Sequence, residues 1–357
     1  MATHAYVVRI QDLPSNGGGV TLASAPFDTL QYGFVLNGPG SLDMTMPMRE
    51  TGVTLANFYP GKKEIYVNRD GVDVWGGYIW TCQATGEDNT VRVGAEGFYS
   101  KLFRRYVGGT IGNDLLFVNG DQFTIAWNLI DYTQTKPNGN MGLTRFSAAL
   151  SGVGRDIKYR WWEMTNIGEE ILRLAQTKDG FDFEITAAKE WKTYAPRRGT
   201  ALATPANDFI LDTNMAGISW DVHALDTATV FFAVGAGDGI GTCIAIATHG
   251  AQSIQFGRLE AVQDFTNIKH FAHLQKKADR KLSMLNDAMN MPQVSLVIES
   301  PPWTSFNVGD RPFVRVSNAG FLNVQQRFRI SAFEVHCAQS GEETVTAHFD
   351  ARLLDDA

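Results

Sequence analysis

The chain has 357 residues, 44% hydrophobic and 19% charged, which is too long for one ordinary core and implies two or three domains. Its formal net charge of −7, with "FRRY" (103–106) and "PRRG" (196–199) as isolated basic pairs read as solvated surface, excludes a protein that grips nucleic acid through a basic patch. No apolar run of about 18 residues is present to span a membrane, and "MATHAYVVRIQDLPSNGGG" has neither the charged nor the apolar region of a signal peptide.

In chain order, the first hundred residues read as β-structure. "AYVVRI" is a short strand and "SNGGGVTL" a loop. After an Asn-Gly-Pro-Gly break, Leu42, Met44 and Met46 alternate with Ser41, Asp43 and Thr45, so one face is apolar. Pro47 cannot donate to a ladder and ends that strand. The turn signals "PGKK", "RDGV" and "GEDN" separate the strands EIYVN, VDVWGGYIW and TVRVGAE, and Asp-Gly supplies the positive φ of a tight hairpin. Gly76-Gly77 within a strand predicts a bulge or a sharp bend.

Helices enter between 105 and 205. "QFTIAWNLIDYTQT" predicts one, with Ile125, Leu129, Ile130 and Tyr132 on one side. "TNIGEEILRLAQTKDG" predicts another, capped by Thr165 or Asn166, with Glu169 and Glu170 in its first turn and Lys178 near its end. Its buried side is Ile171, Leu172, Leu174 and Ala175; it stops at Asp179-Gly180, and "FDFEIT" alternates as a strand. Residues 206–256 return to strands. The longest helix is predicted over 257–290, its second half carrying a stripe of Leu274, Ala278, Leu282, Leu285 and Met289. Lys276, Lys277, Asp279 and Arg280 fill the wet face. Pro292 stops it, "VSLVIESPPW" is a strand, and the tail adds three or four strands with a tight "QSGEE" turn. The fold class implied is α+β, mainly β.

The sharpest chemical question is the run "VFFAVGAGDGIGTCIAIA" (230–247). A dinucleotide loop needs strand, G-x-G-x-x-G, then a helix. Counting from Gly235 the sixth position is Ile240, from Gly237 it is Thr242, and "TCIAIATHG" is strand-like. A hairpin turned at Asp238-Gly239 is the expectation, with no cofactor. His270 and His273 lie three apart on the long helix, with no Cys or carboxylate aimed at them to complete a metal site. Glu169 and Glu170 are helix-start acids whose side chains point about 100° apart, not a glycosidase pair. Glu342-Glu343 falls in a hairpin turn. Trp161 and Trp162 suit packing better than a carbohydrate platform. Cys82, Cys243 and Cys337 lie in apolar runs outside any CxxC, as buried thiols of a chain made in a reducing cytosol. The sequence therefore predicts no enzyme and no catalytic, cofactor-binding or metal-ligating residue.

The order of three stretches resembles the tail hub (baseplate hub, or tail-associated minor tail) proteins of siphovirus-like tailed bacteriophages. They are "LNGPGSLDMTMPM…YPGKKEIYVNRDGVDVWGGYI", "TATVFFAVGAGDGIG", and "HLQKKADRKLSMLNDAM" with "SPPWTSFNVGDRPFVRV…QQRFRISAFEV…GEETVTAHF". Such hubs often carry an Arg after the glycine hairpin, which this chain lacks. The resemblance implies two tail-tube-like antiparallel β-barrels, at 1–104 and at 206–254 with 301–357, and a mixed α/β insert at 105–205 with 255–300. It implies a structural protein whose homotrimer forms a pseudo-six-fold ring at the virion tail tip, continuing the tail tube, adapting its symmetry and forming part of the DNA conduit. Its partners would be a distal tail protein, a tape measure protein and other tail-tip proteins. DNA would pass without specific binding, through a lumen whose acidity repels phosphate, and no membrane insertion is implied. The alternatives are a distal tail protein in a hexameric ring, a tail-associated cell-wall hydrolase, or a glycan-binding protein using Trp161 and Trp162.

Overall fold

The computed structural model of the protein describes residues 4–108, 112, 114–177, 179–266, 268–285, 289–296, 303–317 and 323–350, and the side chains of all of these except 220–223, 289–296, 303 and 350. Lys178, residues 297–302 of "VSLVIESPPW", and positions 318–322 and 351–353 of the expected tail strands lie outside the described residues. The chain forms two compact units, 1–217 with 294–348, and 218–293 with 349–357.

The first unit opens with strands β1 (Tyr6–Asp12), β2 (Val20–Ala25), β3 (Thr29–Val35), β4 (Ser41–Pro47), β5 (Lys63–Arg69), β6 (Val72–Thr85) and β7 (Thr90–Gly97). In β4 the expected alternation holds, with Leu42, Met44 and Met46 buried. The β5–β6 turn has Asp70 at φ 51° and Gly71 at φ 88°, the left-handed geometry that Asp-Gly tolerates. At Gly77 a Cβ would sit 2.2 Å from the Glu96 carbonyl oxygen, and the β6–β7 register shifts nearby, between Ile79 and Thr81. The glycine pair thus marks a close strand approach beside a bulge.

A 3-10 turn (Phe98–Arg104) leads to β8 (Tyr106–Val107), β9 (Leu115–Asp121), helix α1 (Gln122–Gln134), β10 (Thr144–Arg145), β11 (Gly154–Tyr159), β12 (Thr165–Asn166), helix α2 (Ile167–Ala175), β13 (Asp182–Ile185), β14 (Glu190–Tyr194) and β15 (Phe209–Ile210). Asp121 caps α1 by accepting from the Phe123 amide at 2.9 Å, and Asn166 caps α2 from the Glu169 amide at 3.1 Å, each satisfying an otherwise orphaned donor. Ile125, Leu129 and Ile130 of α1 and Ile167, Ile171 and Leu174 of α2 share one core with Tyr78, Phe98, Phe183 and Trp191. Leu172, expected inside, is only partly buried and flanks that core.

Strand β16 (Met215–His223) carries the chain into the second unit, which holds β17 (Val230–Val234), β18 (Ile244–Thr248), helix α3 (Gly250–Phe256), β19 (Glu260–Asp264) and helix α4 (Phe271–Leu285). Here the sequence expectation of one helix over 257–290 is corrected. Gly257 sits at φ 76°, and residues 260–264 add to the sheet as a strand parallel to β17; tertiary pairing overrides local periodicity. The helix itself is confined to α4, whose Leu274, Ala278 and Leu282 pack on Ala228, Phe231, Ala233, Ala245 and Ala247. Met289, expected on its stripe, begins strand β20 (Met289–Leu296). The first unit then closes with β21 (Phe313–Ser317), β22 (Asn323–Arg327), β23 (Arg329–Ala338) and β24 (Glu343–Asp350). In that unit nine strands run in the order β24-β23-β3-β4-β7-β6-β5-β1-β2. The fold is α+β and mainly β.

Candidate functional site

The glycine run joins β17 to β18, which pair antiparallel from Val230↔Thr248 to Val234↔Ile244. It is a hairpin, although the connection is a longer loop with a 3-10 turn at Gly239–Gly241 rather than a two-residue turn. No helix follows the glycines directly, so no helix N-terminus stands ready for a pyrophosphate. Gly235 is required by packing. A Cβ there would meet the Ile268 carbonyl oxygen at 2.6 Å and Leu274 Cδ2 at 2.9 Å. The hairpin lies close against the segment that introduces α4.

The other polar candidates separate. His270 and His273 are exposed, with ring centroids 5.8 Å apart, and among the described residues no group of three or more His, Cys, Asp or Glu is placed to hold a metal ion. Glu169 is exposed, whereas Glu170 is buried, accepting from the Tyr159 hydroxyl at 2.7 Å and from Arg173 Nε at 2.6 Å. Trp161 and Trp162 meet edge to face at 87°, so the two rings do not form one flat stacking surface. Burial pushes the Cys337 thiol up to about 12, far from a nucleophilic thiolate at neutral pH.

Two polar nodes in the first unit have partners that the sequence did not name. Glu343, expected in a hairpin turn, is the first residue of β24, and its carboxylate is enclosed there, accepting from Arg69 at 2.5 and 3.1 Å and from the Tyr6 hydroxyl at 2.5 Å. Burial, then the neighbouring Tyr32 and Glu343, push the Tyr6 hydroxyl far up, leaving it a permanent donor. Asp182 accepts from Arg329, from Asn37 Nδ2 at 2.8 Å and from the Arg198 amide at 2.7 Å, fastening two loops and the start of β23 to β13. The only sequence signal was a charged residue inside an apolar strand, which does not name its partner.

Two surfaces remain. One is a cleft of about 390 Å³ in the first unit, walled by Phe34, Trp75, Phe306 and Phe333. Its rim charges are paired, Glu184 with Arg198 at 2.8 Å, Glu190 with Lys192 at 3.3 Å and Asp73 with Arg9 at 2.7 Å. The other is the face of the β18-β17-β19 sheet opposite α4. Phe232 pairs with Ile246 on one side and Val262 on the other, giving an apolar row in which Ile246 is 51% and Val262 67% exposed, with Ile244 beside it at 49%.

No protein-family model matches the chain, and no curated protein matches it. Solved structures do. The 43 kDa tail protein of prophage MuSo2 from Shewanella oneidensis is similar with a TM-score of 0.69 at 12% identity, covering 98% of this chain and 99% of that one. A tail protein from Neisseria meningitidis MC58 gives 0.64 at 12% identity over 97% and 96%, and prophage tail protein gp18 from Listeria monocytogenes gives 0.56 at 12% over 96% and 94%. The fold is that of phage tail proteins. Within this tail-protein fold the apolar row offers area to bury. Among the described residues no helix is long and apolar enough to cross a membrane.

Proposed function

We propose that the chain is a structural component of a phage tail in the virion, and specifically the tail-tip hub: a homotrimer whose ring continues the tail tube, adapts its symmetry and forms part of the DNA conduit. The observation that carries this reading is the similarity to prophage tail proteins over nearly the whole of both chains, rather than over a shared module. In the fuller form of the proposal, residues 1–104 supply one barrel of the ring and 206–254 with 301–357 the other, with 105–205 and 255–300 as the helix-bearing part. The core shared by α4, β17 and β18 bears on where that last boundary falls. Distal tail and tape measure proteins are the proposed neighbours, and the role is non-enzymatic.

The test is negative-stain or cryo-electron microscopy of the purified protein and of tails that contain it. Three copies per ring at the tail tip support the hub. Six copies per ring assign the chain as a distal tail protein instead. Mutation-sensitive clearing of cell-wall substrate would replace the structural role with a hydrolase.

A further inference from the structure

The "FRRY" pair, read from sequence as solvated surface, ends the 3-10 turn Phe98–Arg104. Side chains at i and i+3 of a 3-10 helix eclipse, so Lys101 and Arg104 project from the same side. Tyr78 and Trp80, two apart on β6, share a strand face. Lys101 Nζ stands 4.6 Å from the Tyr78 ring centroid, and the Arg104 guanidinium 6.0 Å from that of Trp80, whose Nε1 donates to Ser100 Oγ at 2.9 Å. Lys189 stands over Phe98 at 5.0 Å, and Phe98 meets Tyr78 edge-on at 5.4 Å.

Cations therefore outnumber anions here. Glu64 is the carboxylate facing the group, and it is already engaged by Lys189 at 2.7 Å and by the Tyr66 hydroxyl at 2.8 Å. Among the described residues Lys101, Arg104 and Arg105 have no carboxylate within ion-pair distance. The Tyr78 hydroxyl, on a side chain 1% exposed, has no hydrogen-bond partner, although a buried hydroxyl ordinarily finds one. Burial, with Arg105 and Lys189, pushes the Lys101 amine down to about 8, only partly opposed by Glu64, the expected response of a partly buried cation held among cations.

We propose that Lys101, Arg104 and Arg105, set against the faces of Tyr78 and Trp80, form a binding site for a single oxyanion, a phosphate or a carboxylate. Lys101 and Arg104 are separated by about 6 Å along the turn axis, a span that one group with several acceptor oxygens bridges. An extended polyanion would need a longer track of charge. The arginines supply planar, always-charged donors, and Lys101 adds a proton that the anion itself stabilises.

The experiment titrates the full chain with inorganic phosphate and, separately, with glutarate. It follows the rate of Lys101 acetylation by mass spectrometry, alongside the thermal midpoint. Saturable protection is expected, about tenfold when the anion is at ten times its dissociation constant, and weaker as pH rises through about 8 and Lys101 loses its proton. Protection by phosphate alone assigns a phosphate ligand; protection by both assigns a general oxyanion site, as an acidic side chain of a neighbouring protein would use. K101M, R104M and R105M should each reduce the thermal response. The proposal is overturned if sodium chloride at equal ionic strength protects Lys101 equally, or if phosphate leaves the rate unchanged. The acetylation readout uses the unaltered protein, so a variant that fails to fold does not blunt the test.

Discussion

Asp182 and Arg329 stand 147 positions apart in the chain and form an ion pair with side-chain exposures of 0% and 4%. Arg329 also donates to the Arg198 carbonyl at 3.0 Å, while Asp182 accepts from the Arg198 amide at 2.7 Å, so the pair grips one loop from both sides. Removing one partner of such a pair leaves an uncompensated buried charge, which costs about 3–5 kcal/mol. R329M should lose stability on that scale in urea denaturation. D182N/R329M should recover part of the loss. An R329M midpoint equal to that of the parent would show that the pair is not buried as described.

The glycine hairpin gives a contrast between neighbours. A Cβ at Gly235 would press on the Ile268 carbonyl oxygen and Leu274, whereas at Gly241 nothing lies within 4 Å. G235A should destabilise the protein by about 1–3 kcal/mol, as overpacking does. G241A should stay within about 0.5 kcal/mol, as an unconstrained surface change does. If both variants bound or lost a nucleotide instead, the packing account of the run would fail.

Lys101 gives a pH signature. Its native pKa is about 8 against an ordinary 10.5, lowered by burial and by Arg105 and Lys189 and only partly restored by Glu64. Between those values the unfolded chain binds more protons, so stability should rise with pH there and fall as pH drops through about 8. The buried tyrosines, raised from 10.0, act in the opposite sense above pH 10. The window to measure is therefore about pH 7.5–9.5, where the slope of thermal stability should be steeper in the parent than in K101M. Equal slopes would remove Lys101 as the cause.

These sites differ in how far the sequence announces them. The alternation of β4 and the Asn166 cap of α2 are local facts, so periodicity and capping chemistry located them. β19 was hidden because "LEAVQD" satisfies helical as well as strand patterns, and only a parallel partner, β17, selects the strand. Glu343 was read only as part of a hairpin turn, because its partner Arg69 is 274 positions distant. The "FRRY" pair showed its charge but not the aromatic faces of Tyr78 and Trp80, which come from another strand.

The apolar row of the second unit provides the assembly prediction. Ala245, Ala247 and Phe231 face α4 and share its core, while the alternation along β18 turns Ile244 and Ile246 to the other side, next to Phe232 and Val262. Period-2 geometry means these outward residues are dispensable for the α4 contact. I246D and V262D should therefore leave the circular dichroism spectrum and the urea midpoint within about 0.5 kcal/mol of the parent, as surface substitutions do. In a ring that buries the row, each introduced carboxylate would be desolvated without a partner, a cost of several kcal/mol. Sedimentation should then show the double variant shifted to monomer, and tails made with it should lack the protein. A double variant that assembles like the parent would show that the row faces solvent in the assembled tail, and that subunits meet elsewhere.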